Sequence, residues 1–288
     1  MKIAIASGKG GTGKTLVSVN LAYLWSEIYN TKTVLVDLDV EEPNDHVFFQ
    51  EKISSSTEVF RPVPNFIKER CIFCSKCHDV CRFNAITMFP DTVIVSPELC
   101  HSCYACAELC PSNALIMTHK KNGVIRNYGK DNVLLYDGLL DVGEASAVPL
   151  ITELKSQVLS KHNNSVDYFF DSPPGTSCPM IESIRDVDFV ILVAEPTPFG
   201  IHDMDLAIQT VQLSDTPLGV VINKDNENSQ KIYEKCKEYN VPILAAIPHK
   251  REIASFLANG GLATRKFDEI KISLTQLVEE LKIRINNN

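Results

Sequence analysis

Eight cysteines fall between residues 71 and 110 of a 288-residue chain, in two runs of identical spacing. Cys71, Cys74, Cys77 and Cys81 form one C-x2-C-x2-C-x3-C run, and Cys100, Cys103, Cys106 and Cys110 repeat it 29 residues later (71 to 100). Thiolates so spaced wrap 4Fe-4S cubes: the first three of a run hold one cube, and the fourth reaches across to the other. The spacing therefore predicts one cluster on Cys71, Cys74, Cys77 and Cys110, and a second on Cys100, Cys103, Cys106 and Cys81. Structural zinc is the competing chemistry, but it needs four ligands per site and usually a longer gap between ligand pairs.

The chain opens with different chemistry. In SGKGGTGKT, Gly8, Gly10, Gly11, Thr12 and Gly13 form a loop whose backbone N–H groups can turn inward around phosphates. Lys14 is then aimed at the β and γ oxygens and the Thr15 hydroxyl at Mg2+. That mechanism needs a strand before the loop and a helix after it. Both are legible, KIAIAS as a short apolar run and KTLVSVNLAYLWSEI with apolar residues at helical spacing.

The elements that position these residues repeat one pattern. KTVLVDLD reads as a second buried strand, and after the cysteines come a helix (147–160), strands (167–171, 188–196), a helix (203–213), a strand (218–224), a helix (229–239), a strand (241–248) and a terminal helix (267–283). The alternation predicts an α/β fold, a doubly wound, mostly parallel sheet of the P-loop type. Residues 53–120 break it, being Pro- and Cys-rich without long helices. They read as a small α+β domain inserted in a surface loop, splitting the ATPase domain into 1–52 and 121–288.

Over roughly fifty residues the doubled cysteine run resembles bacterial-type two-cluster ferredoxins, with Pro111 after the last cysteine of the second copy but Arg82 at that place in the first. The remainder, through Lys9 of the glycine loop, VLVDLDVEEPN and DYFFDSPPG, resembles the deviant Walker A ATPases of the MinD/ParA/Mrp and nitrogenase iron-protein superfamily. That resemblance implies an ATP-sandwiched homodimer, or a heterodimer with a paralogue, in which Lys9 acts on the facing subunit's nucleotide. It implies that Asp39 positions or activates the attacking water, with Asp37 preceding it on the same strand end. It makes Asp171, before Pro173-Pro174-Gly175, the switch carboxylate near Mg2+, and it puts Asn223 against adenine. Each aspartate could instead be a cap or turn residue.

Cys178 follows Asp171 by seven residues (171 to 178), the interval of a cluster-ligating cysteine in the nitrogenase iron protein that this half resembles; Glu144 stands where the other ligand would be. Cys178 and Glu144 from two subunits are thus a candidate interfacial metal site, the alternative being a small buried cysteine beneath the switch loop. Cys236 has no evident role. A net charge of −8 disfavours nucleic-acid and anionic-membrane binding. No apolar run reaches membrane-spanning length, and cysteines at metal spacing without a secretory segment predict a cytoplasmic protein.

Three functions fit. The first is an ATP-driven redox or metallocofactor-maturation protein acting on a partner. The second is an iron-sulfur carrier using Cys178, and the third a positioning ATPase whose clusters sense redox state.

Overall fold

The structure, a computed structural model, describes residues 1–49, 52–130, 132–162 and 166–286; residues 50 and 51, beside the expected boundary at 52, lie outside the described residues. The strands in chain order are β1 (Lys2–Ala6), β2 (Thr33–Asp37), β3 (Ser55–Phe66), β4 (Ile86–Met88), β5 (Val93–Val95), β6 (Leu115–Lys130), β7 (Val133–Leu140), β8 (Asp167–Asp171), β9 (Phe189–Ala194), β10 (Leu218–Asp225) and β11 (Ile243–Pro248). The α-helices are α1 (Lys14–Tyr29), α2 (Lys76–Val80), α3 (Ala105–Glu108), α4 (Val148–Lys161), α5 (Cys178–Ile184), α6 (Pro198–Gln212), α7 (Gln230–Glu238), α8 (Arg251–Ala258) and α9 (Asp268–Asn286).

Among the described residues one nine-stranded sheet runs β11-β10-β9-β1-β8-β2-β7-β6-β3. From β11 to β7 every pairing is parallel; β6 and β3 add to the β7 edge antiparallel. Both faces are covered, so the central strands are apolar throughout rather than alternating with polar residues. Ile3, Ile5 and Phe169 face one core with Trp25, Leu21 and Leu277 of α1 and α9. Ala4, Ala6 and Phe170 face the other with Leu150, Leu154, Met204 and Ile208 of α4 and α6. Helix α6 starts at Pro198, five residues ahead of the expected 203, because Pro198 needs no N–H partner there and Thr197 accepts a hydrogen bond from Gly200 N.

The cysteine-rich segment is not hung on a surface loop. β3 pairs with β6 from Ser55 opposite Asn127 to Phe66 opposite Leu115, a long hairpin continuous with the main sheet, so the expected boundary at 120 falls inside β6. β3 is hard to read from sequence because Pro62 and Pro64 argue against a central strand; as the edge strand it tolerates them. Residues 67–114 form the hairpin's tip, carrying α2, α3 and the two-stranded β4-β5 sheet around a small core of Ile86, Val93, Cys106 and Leu115.

Leu154 is fully buried between α4 and the sheet. Leu154→Ala is expected to lower unfolding stability by about 2–5 kcal/mol, the range for a buried leucine truncated to leave a cavity. Urea unfolding checks this, and a loss under about 0.5 kcal/mol, the level of an indifferent surface site, would contradict the packing described.

Candidate functional site

The parallel register sets three carboxylates side by side. Asp37 pairs with Asp171 on one flank and Asp137 on the other, all at or near the carboxyl ends of adjacent strands. They are 1%, 3% and 0% exposed. Arg126 neutralises Asp137 through two hydrogen bonds of 2.8 and 2.7 Å. Asp37 accepts from the backbone N–H groups of Asp39, Asn44 and Asp45 at 3.0, 2.8 and 3.1 Å, and so shapes the loop that presents Asp39. Asp171 accepts from the Thr15 hydroxyl at 3.1 Å through Oδ2, and the Ser18 and Asp45 side chains also bond to its carboxylate.

Burial pushes Asp37 well above the usual carboxylate range, and the nearby Asp171 adds to the effect. Burial likewise raises Asp171, with Lys14 opposing. Asp39 is pushed up to about 6 by burial, again with Lys14 opposing. Asp45 escaped the sequence reading because it follows a proline-containing turn with no motif around it. It is fully buried, its carboxyl shares a hydrogen bond with Asp171, and burial followed by the nearby Asp37 and Asp171 drives it well up. Lys14 opposes burial at Asp39 and Asp171, and a divalent cation between Thr15 and Asp171 would add positive charge at the same place.

The glycine loop closes over this row. Gly11 and Gly13 have φ of 76° and 97°, conformations that side chains rarely adopt. A Cβ on Gly13 would also strike the Asn223 amide, whose Nδ2 donates to the Thr12 carbonyl at 2.6 Å. Asn223, expected against adenine, gives one of its two amide N–H donors to shaping the loop. Lys14 is buried, whereas Lys9 is turned to Glu195 at 2.5 Å, and Glu195 also binds Lys224 at 2.6 Å. Burial alone would raise Glu195, but the two lysines more than offset it and hold the carboxyl low. Lys224 in turn donates to the Gly11 carbonyl at 3.1 Å, and Gly175 N, in the loop after Asp171, donates to Ser7 O at 2.9 Å.

In the hairpin tip the thiols sort into two cavities. One, of about 330 Å³ including its open mouth, is lined by Cys71, Cys74, Cys77 and Cys110; the other, of about 350 Å³, by Cys81, Cys100, Cys103 and Cys106. Each mixes three cysteines of one repeat with the fourth of the other. The backbones repeat too: Phe73, Ser75 and Asn84 have positive φ, as do Ser102, Tyr104 and Asn113 at the equivalent places. These turns aim N–H groups at sulfur: Phe73 N at Cys71, Ser102 N at Cys100, Ala85 N at Cys81 and Ala114 N at Cys110, at 3.2–3.4 Å. Donors of this kind stabilise thiolates, and four thiols bordering a volume rather than a point fit a multi-iron group. Among the described residues no three ligating side chains converge closely enough for a single ion.

Two expectations need correction. Glu144 is not free for metal: it is buried, with Arg61 on Oε2 at 2.6 Å and Lys120 on Oε1 at 2.6 Å. Cys178 is not a buried thiol but an exposed one, at the first residue of α5, beyond the carboxyl end of the central strand β8. Cys236 is buried in the core, which accounts for it.

The profile described as the CobQ/CobB/MinD/ParA nucleotide binding domain matches residues 3–262. The chain belongs to the CobQ/CobB/MinD/ParA family. It is thus a P-loop ATPase of the MinD/ParA kind, for which ATP and Mg2+ are the expected ligands of the loop and carboxylate row. The uncharacterized protein MJ0578 of Methanocaldococcus jannaschii is 33% identical over 282 residues, 98% of this chain and 96% of its own. A cytosolic Fe-S cluster assembly factor NUBP1 homolog of Brugia malayi is 23% identical over 284 residues, 90% of this chain and 73% of its own. Among solved structures, the septum site-determining protein MinD of Pyrococcus horikoshii complexed with Mg-ADP matches with a TM-score of 0.59 at 18% identity, over 97% of this chain and 95% of that one, a likeness of fold. Among the described residues no helix is long and apolar enough to cross a membrane.

Because Mg2+ favours ionised carboxylates, MgATP binding near pH 6 is expected to release protons held by the buried row. Calorimetry in buffers of different ionisation enthalpy reads this directly. Asp39→Asn should release about half a proton fewer at pH 6, since a group titrating there is half protonated. Binding with no buffer dependence at pH 6 would contradict the raised carboxyl groups.

Proposed function

We propose that this protein is an ATP-hydrolysing iron-sulfur protein that couples nucleotide state to electron transfer, or to metallocofactor maturation, on a partner protein. The observation that carries the reading is the sorting of eight thiols into two crossed sets of four, on a hairpin continuous with the sheet of a P-loop ATPase. Cys71, Cys74, Cys77 and Cys110 would hold one 4Fe-4S cluster, and Cys81, Cys100, Cys103 and Cys106 the other. Such clusters supply one-electron chemistry when bound. The protein's own work is to hold them by thiolates that accept backbone N–H bonds, and to stiffen their loops against the sheet.

At the nucleotide site Lys14 meets the β and γ phosphates, and Thr15 with Asp171 holds Mg2+. Asp39 orients the attacking water and accepts its proton, in the ionised form. Asp171 reports the γ phosphate to the switch loop, whose Gly175 hydrogen-bonds to Ser7 at the end of β1. Lys9, held by Glu195 within the chain, leaves that carboxylate to reach the nucleotide of a second copy or a paralogue. The acidic surface suits neither nucleic acid nor an anionic membrane.

A second reading, an iron-sulfur carrier or assembly factor, is favoured by the exposure of Cys178 at the switch helix and by the name of the NUBP1 relatives. In it Cys178 receives or passes a cluster between subunits, while the hairpin clusters stay in place.

Lys14→Ala separates the two halves. It is expected to abolish MgATP hydrolysis, a loss of at least about 100-fold for a group that stabilises transferring phosphate, and to leave about eight irons per chain. Phosphate release and iron assay measure these; normal hydrolysis by the variant would sink the P-loop assignment. Failure of anaerobically prepared wild-type protein to hold iron would sink the clusters.

A further inference from the structure

Arg61 was not singled out by any motif, yet it is a fully buried cation at the junction of the two halves. It lies on β3 and makes three kinds of bond. Its Nε donates to Glu144 Oε2 at 2.7 Å, its Nη1 to the Cys100 carbonyl at 3.0 Å and its Nη2 to the Pro97 carbonyl at 2.7 Å. Ser102 adds a hydroxyl bond to the Pro62 carbonyl at 2.7 Å. The loop that begins the second cysteine run is therefore clamped to the sheet by side chains. Among the described residues the first run's loop, 68–77, has no such bond to β3 or β6.

Glu144 carries the connection on towards the nucleotide. It sits between β7 and α4, in a loop whose near end is fixed by Leu140 N donating to Val40 O at 2.8 Å, one residue beyond Asp39. Beyond the loop, α4 grips the switch helix α5. Lys155 donates to the carbonyls of Glu182, Ser183 and Arg185 at 2.8, 3.1 and 2.7 Å, satisfying the end of α5, and Thr152 bonds to Glu182 at 3.0 Å. A movement of the Asp39 loop or of the switch that follows Asp171 thus reaches Glu144 from both ends, through directional bonds between packed elements.

We propose that Arg61 is a positioning residue that ties the second thiol cavity to the nucleotide switch, so that the cluster on Cys81, Cys100, Cys103 and Cys106 responds to nucleotide and the other does not. This rests on the two-cluster ATPase reading above. The physical lever is a buried ion pair beside a redox group. A cation near a cluster favours its reduced, more negative form and raises its potential; an anion lowers it. Shifting Glu144 relative to Arg61 changes the balance felt at Cys100, in a site where screening by water is weak.

Potentiometric titration of the cluster-loaded full chain, followed by EPR with MgADP and with a non-hydrolysed MgATP analogue, tests the proposal. Cys74→Ala, which disturbs only the first site, assigns the signals. The expected result is a nucleotide-dependent shift in the second cluster alone, lost in both Arg61→Gln and Glu144→Gln. The two variants should also displace that cluster's resting potential in opposite directions, down for Arg61→Gln and up for Glu144→Gln. Glu144→Gln preserves shape and leaves the bonds from Arg61 to the two carbonyls, so it decides the matter should Arg61→Gln fail to fold, as iron content and melting would reveal. A shift located in the first cluster, a shift that survives in Glu144→Gln, or a wild-type protein with both clusters and no shift overturns the proposal alone. A wild-type chain with fewer than about eight irons overturns the two-cluster reading and the proposal with it.

Discussion

The constraint on which the structure depends is the placing of buried carboxylates at the ends of parallel strands. A parallel register leaves no freedom in the matter: once β2 pairs with β8 and β7, Asp37 must stand level with Asp171 and Asp137. Each would rather be in water, and each repels the others. The protein offsets part of this with Arg126 on Asp137 and three backbone donors on Asp37, and it sets Asp45 and Asp171 to share a hydrogen bond.

The same end of the sheet governs everything that could move. The Asp39 loop is drawn around Asp37, the switch loop leaves from Asp171, and the glycine loop is braced by Asn223 and Lys224 from β10. Lys9 and Glu195 add a contact that nucleotide can contest, since phosphate and carboxylate compete for one ammonium group. These segments are loops anchored on the carboxyl ends of the parallel strands by a few directional bonds each.

Extending that sheet, rather than attaching a separate domain, is what brings the thiols into the same mechanical frame. A loop-borne insert would leave its orientation to a flexible linker. The paired strands β3 and β6 hold the thiol-bearing tip to the sheet, and a buried Arg61 fixes one of the two thiol loops to them. A register shift between Val59 and Phe60, where Asn122 is left out of the pairing, bends the ribbon just before Arg61.

By itself the sequence determined the local chemistry. Thiol spacing, glycine positions and the β-loop-α-β pattern are short-range, set by bond lengths and backbone dihedrals over a few residues, so Lys14, Thr15 and the eight cysteines could be named without coordinates. The crossed distribution of those cysteines was readable as well, because the repeat is internal to the chain. Only the tertiary structure decided what long-range neighbours do. Asp45, Glu195 and Arg61 carry no motif, and their importance comes from partners 126, 186 and 83 residues away (45 to 171, 9 to 195, 61 to 144). Glu144, read in the sequence as a candidate ligand with a second subunit's Cys178, is ion-paired to Arg61, and Cys178 is exposed. Sheet pairing and burial fix such roles, and both are properties of the assembled core rather than of any window of residues.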